Sequence, residues 1–104
     1  MANPHFVVKN GILKAKADLR REHLDEFCDA SRALLAEPTN EVVIDLTKVG
    51  FIFSSFVAVL GNLSQDCHNI GKMLVIRVPE KLAWVLDIDK NINAFMRIEK
   101  VKDK

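Results

Sequence analysis

The order of elements written in this sequence predicts an α/β fold, a small mixed β-sheet with an N-terminal hairpin and helices packed on it. Three observations lead there. Two apolar stretches flank Asn10-Gly11, a dipeptide whose readiness for positive φ suits a two-residue hairpin turn. Val42-Val43-Ile44 is a β-branched run of the kind found in central strands buried on both faces by helices. Elsewhere, apolar residues recur at three- and four-residue steps, the period of helices that rest on a sheet.

The hairpin predicts two antiparallel strands between positions 5 and 17. In the second, Leu13, Ala15 and Ala17 alternate with Lys14 and Lys16, which puts one face on the core and the lysines in water. From 20 to about 36, Leu24, Phe27, Cys28, Ser31, Leu34 and Leu35 form the apolar stripe of a first helix. Pro38 ends it, because proline cannot continue the hydrogen-bond ladder and its predecessor avoids the helical region. A strand over 41–47 follows. Ser54-Ser55 then opens a second helix with apolar positions Phe56, Val57, Leu60, Leu63, Cys67 and Ile70, which Gly71 stops at the C′ position. Residues 72–78 form another mostly apolar strand. Pro79-Glu80 starts a shorter third helix with the stripe Leu82, Val85 and Leu86, and Trp84 lies off it. Residues 87–93 break the pattern before a last strand over 95–101. Right-handed crossovers join the parallel pairs.

At 104 residues the chain is read as one domain, 1–104, with a single core. It carries 15 basic and 14 acidic residues, a net charge of +1, and such balance gives no field for gathering nucleic acid. The basic tail Lys100-Val101-Lys102-Asp103-Lys104 is expected to be a solvated end. Cys28 and Cys67 have no redox or zinc spacing and are expected as small core residues. With no signal-peptide pattern and no apolar run of roughly 18 residues, a cytoplasmic protein is the default.

Candidates for chemistry are few. His5, His23 and His68 are scattered, and surface histidines are the better account of them than metal ligands. Asp45 ends a buried strand, where α/β proteins often place functional carboxylates, but a turn-capping aspartate is the favoured role. Gly11, Gly50, Gly61 and Gly71 are isolated, so the glycine-rich loop that cradles a nucleotide is missing. No enzyme activity, cofactor or metal is expected. Trp84, if exposed, would be a potent contact residue; folding over the core edge is the commoner fate.

Val42-Val43-Ile44-Asp45-Leu46-Thr47 followed by Val49-Gly50-Phe51-Ile52-Phe53-Ser54-Ser55 resembles the signature of the STAS (sulphate transporter and anti-sigma factor antagonist) family. There a buried strand ends Asp-Leu-Ser/Thr, a short apolar link follows, and Asp-Ser-Ser-Gly opens a helix. The resemblance runs from the hairpin to about Ile98. Phe53 stands where the family usually has aspartate, Phe56 where it usually has glycine, and the C-terminal helix of many members is missing. The resemblance implies an anti-sigma factor antagonist-like module that binds a partner, a serine kinase-type anti-sigma factor or a signalling complex. It places the phosphorylated serine at Ser54, with Ser55 as second candidate.

Two other roles stand beside that one. Either serine can simply be the helix N-cap, worth roughly 1 kcal/mol. Phe53 and Phe56 can be core, a staple across the cap, or, if both project outward around Ser54, an aromatic docking surface. The alternative function is a non-phosphorylated scaffold or accessory subunit of a transporter or signalling complex; a small-ligand module is a third.

Overall fold

The computed structural model describes residues 5–86 and 96–102. Strands β1 (Phe6–Lys9) and β2 (Ile12–Ala15) form the expected hairpin. Its turn residues Asn10 and Gly11 have φ of 56° and 77°, the left-handed pair that a two-residue turn needs. Glycine is required at 11 for a second reason. A Cβ there would lie 2.6 Å from the Thr39 hydroxyl oxygen.

Helix α1 (Leu24–Leu35) begins later than periodicity suggested, because Arg21–His23 winds as a 3₁₀ turn before it. Strand β3 (Glu41–Asp45) pairs parallel with β2, and β4 (Met73–Pro79) pairs parallel with β3. Between them runs α2 (Ser55–Asn69), which ends as Gly71 was expected to end it. Gly71 has φ of 76°, its N–H donates to the His68 carbonyl at 3.1 Å, and Lys72 N–H donates to the Cys67 carbonyl at 2.8 Å. These two bonds satisfy carbonyls that the helix would otherwise leave unpaired. A 3₁₀ turn, Glu80–Leu82, leads into α3 (Ala83–Leu86), and β5 (Met96–Val101) pairs parallel with β4. Phe95 and the break over 87–93 lie outside the described residues.

Strand order in the sheet is β1-β2-β3-β4-β5, the same as order in the chain. Right-handed crossovers between sequential neighbours put every connecting helix on one face. One core follows from that. Leu13, Val42, Ile44, Leu74, Ile76 and Val78 of the sheet share a single cluster with Phe27, Leu34, Phe56, Leu60, Leu63, Val85 and Leu86 of the helices. The expectation that helices bury β3 on both faces is therefore corrected. Val43 and Val75 are 6% and 0% exposed although they face away from the helices. The Arg97 side chain reaches from β5 past β4 to Glu41 on β3, at 3.3 Å, so its stem roofs Val75.

His5 is not a bare surface histidine. Its backbone N–H and its Nδ1 meet the two oxygens of Glu26 at 2.8 and 2.7 Å, which ties the start of β1 to α1. That hydrogen bond holds the Glu26 carboxyl below its ordinary value of 4.5. A carboxyl depressed by folding stabilises above its unfolded pKa, and this contribution disappears as pH falls through the folded value. Acid titration of thermal stability should thus show a smaller loss below pH 4.5 in Glu26→Gln than in the parent chain.

Candidate partner-docking site

The link between β3 and α2 is fixed at both ends before it reaches the serines. Asp45 Oδ1 accepts from Thr47 N–H at 3.0 Å and from Thr47 Oγ1 at 2.6 Å, so this carboxylate shapes the turn off β3 as a turn-capping residue should. Leu46 and Val49 are buried, and Leu46 N–H extends the ladder to the Arg77 carbonyl at 2.7 Å. Gly50 N–H donates to Asp18 Oδ1 at 2.7 Å.

Next comes a short parallel bridge that sequence patterning did not reveal. Leu19 N–H donates to the Phe51 carbonyl at 2.8 Å, and Phe53 N–H donates to the Leu19 carbonyl at 2.7 Å, with Leu19 opposite Ile52. Extended backbone alternates its side chains. Ile52 therefore points in and is 6% exposed, whereas Phe51 is 45% exposed and Phe53 packs half-buried at the edge of the core. The Arg20 guanidinium sits 5.5 Å from the centre of the Phe51 ring, within cation–π range, and also pairs with Asp18 at 3.3 Å.

Ser54 and Ser55 are both exposed at the start of α2. Ser54 does not cap the helix. Its backbone is already helical, φ −56° and ψ −31°, whereas an N-cap residue is normally extended, and its side chain makes no capping bond. Phe56 N–H instead bonds the Phe53 carbonyl at 2.9 Å, and Val57 N–H bonds the Ser54 carbonyl at 3.0 Å. The first turn of α2 also lacks an acidic residue. An exposed hydroxyl thus stands beside a helix start that has neither cap nor counter-charge, a setting that favours an anion.

Phe56 does not share this surface. It is fully buried, its ring 5.2 Å from Phe27 at 68°, so an outward pair of Phe53 and Phe56 is corrected: one lies at the core edge and the other inside. The cause is helical geometry, since Phe56 begins the stripe that continues through Leu60, Leu63 and Cys67. The exposed aromatic of the linking segment is Phe51, three residues before Ser54 in the chain and two before Phe53.

Other candidates fall away from this spot. Cys67 is buried, and burial above all pushes its thiol up to about 11, so it is not a nucleophile at neutral pH. Cys28 is half-buried and lines a groove of about 210 Å³ between α1 and α2 with Ser31, Val59 and Asp66; it is not the closed core residue expected. Trp84 is 63% exposed, which corrects the expectation that it folds over the core edge. In α3 its neighbours Ala83, Val85 and Leu86 take the inward positions. Among the described residues no three His, Cys, Asp or Glu side chains gather as a metal site, and no helix is long and apolar enough to cross a membrane.

Comparison with known proteins agrees with the architecture. No curated protein matches the chain. A family model described as "Mlab, STAS domain" matches residues 5–92, which takes in the hairpin, the β3 to α2 link and the serine pair. With that match over most of its length and a five-stranded mixed sheet carrying its helices on one face, the chain belongs to the STAS domain family, a family of regulatory and binding modules.

Proposed function

We propose that this protein is a binding module of the anti-sigma factor antagonist type, which docks a serine kinase-type partner at the start of α2 and is switched by phosphorylation of Ser54. It works by binding and not by catalysis, in the cytoplasm. The observation that carries this is the exposed Ser54, whose side chain makes no capping bond, at a helix start with no acidic residue in its first turn and with the exposed Phe51 three residues before it in the chain. Phosphate would add about two negative charges beside unpaired N–H groups, where the helix tolerates it and an apolar partner surface does not. Ser55, exposed one residue on, is the second acceptor.

Phe53 favours a second function, a constitutive accessory subunit of a transporter or signalling complex. An aromatic at the position where the switched members carry aspartate supplies contact area in place of charge. Incubation with serine kinases from the same cell, ATP and the purified chain, read by phosphopeptide mass spectrometry, separates the two. Modification at Ser54 is the expected result; an unmodified chain with every kinase would leave the constitutive role.

A further inference from the structure

The sheet face turned away from the helices carries a pattern that partner docking does not use. Strand register sets Lys14 of β2 beside Asp45 of β3, Asp45 beside Arg77 of β4, and Arg77 beside Glu99 of β5. Register neighbours point the same way, and the flanking Leu13, Ile44, Ile76 and Ile98 pack toward the helices. These four charges therefore project together from the open face, in the order plus, minus, plus, minus. The neighbouring row is Ile12, Val43, Val75 and Arg97, and two of the chain's exposed large hydrophobics, Met73 and Val101, lie on the same side.

Within one chain Asp45 Oδ1 accepts from Thr47 and Glu99 also pairs with Arg97 at 3.4 Å, but the pairing along the row itself is loose. Arg77 Nε meets Glu99 at 3.1 Å, but both side chains are about two-fifths exposed, the setting in which an ion pair contributes little. Lys14 makes no ion pair among the described residues.

A row of alternating sign is its own complement under a two-fold axis. Let the axis lie in the face, along the strands, between β3 and β4. Lys14 then meets Glu99 of the second copy, and Asp45 meets Arg77. Shifting the axis by half a strand sets Asp45 against itself or Arg77 against itself, and shifting it by a whole strand leaves two charges unmatched. We propose that two copies of this chain associate face to face through the open sheet, with Lys14–Glu99 and Asp45–Arg77 pairs crossing a two-fold axis. The packing is that of aligned sheets about 10 Å apart.

The footprint sets the strength. Five strands spaced about 4.8 Å apart and some five residues long cover roughly 400 Å² per copy, about half of what a standard stable interface uses. The dimer is accordingly weak, dependent on concentration and sensitive to salt. It does not depend on the role given to Ser54, which lies on the helix-bearing side.

Sedimentation equilibrium of the whole chain from about 10 μM to about 1 mM tests it. The expected mass climbs from 11.7 kDa toward twice that value and falls back at about 0.5 M salt. Lys14→Glu should weaken association at least tenfold or so, and adding Glu99→Lys should restore it, since the swap rebuilds the same pairs. Circular dichroism melts establish that each variant is folded. A mass of 11.7 kDa at every concentration would overturn the proposal, as it would if an acidic ligand or another segment of the chain covered this face. So would a dimer indifferent to Lys14→Glu, or a folded double variant that stays monomeric.

Discussion

Phe56→Ala is expected to destabilise the protein by about 3–5 kcal/mol, the range for removing a fully buried phenylalanine ring. Three losses add. The ring is 0% exposed, so the whole of its transfer free energy is forfeited; its edge-to-face contact with Phe27 disappears; and Phe27 itself, in contact with Phe6 at 5.3 Å, loses one side of its cage. A domain of this length has about 5–15 kcal/mol of stability in all, so the variant should unfold at a far lower denaturant midpoint or not fold at 37 °C. Phe56→Leu, which refills most of the volume, should recover much of the difference. A Phe56→Ala midpoint close to that of the parent chain would mean that the ring is not a core element and that the docking surface must be redrawn to include it.

Ser54→Asp is expected to have the largest effect on function with almost none on the fold. The residue is exposed and its side chain caps nothing, so melting of the variant should match the parent to within about 0.5 kcal/mol. Partner binding is a different matter. A fixed carboxylate at the start of α2 would have to be desolvated in the docked complex, and a loss of about tenfold to a hundredfold in affinity is the expected consequence. Ser54→Ala should bind as the parent chain does. Quantitative capture with the three chains as bait reads this directly, and a protein held equally by Asp and Ala variants would remove the switch while leaving the surface.

The elements were legible because each is written in its own period. Leu13 and Ala15 against Lys14 gave the strand, the Phe27 to Leu34 stripe gave the helix, and Gly71 gave its stop; all are local rules read over a few residues. The candidate site was legible only in part. Ser54 and Ser55 are marked by position, but Phe56 could not be oriented until α2 was known to start at 55, because a shift of one residue turns a side chain by about 100°. Phe51 was passed over because its exposure follows from a bridge to Leu19, a long-range pairing that no local pattern records. The same holds for His5 and Glu26, and for Arg97 over Val75. Trp84 escaped for another reason: α3 is so short that three inward neighbours leave it no room inside.

Strand order that matches chain order bears on how the molecule is made. The hairpin is complete once the first stretch of chain emerges, and each following helix and strand then adds to an edge already in place. No strand has to be inserted between two others that are waiting for it. Such a sheet can grow in one direction during synthesis, with each stage exposing a single unfinished edge, and the pairings that close it are between successive units and not between distant ends of the chain.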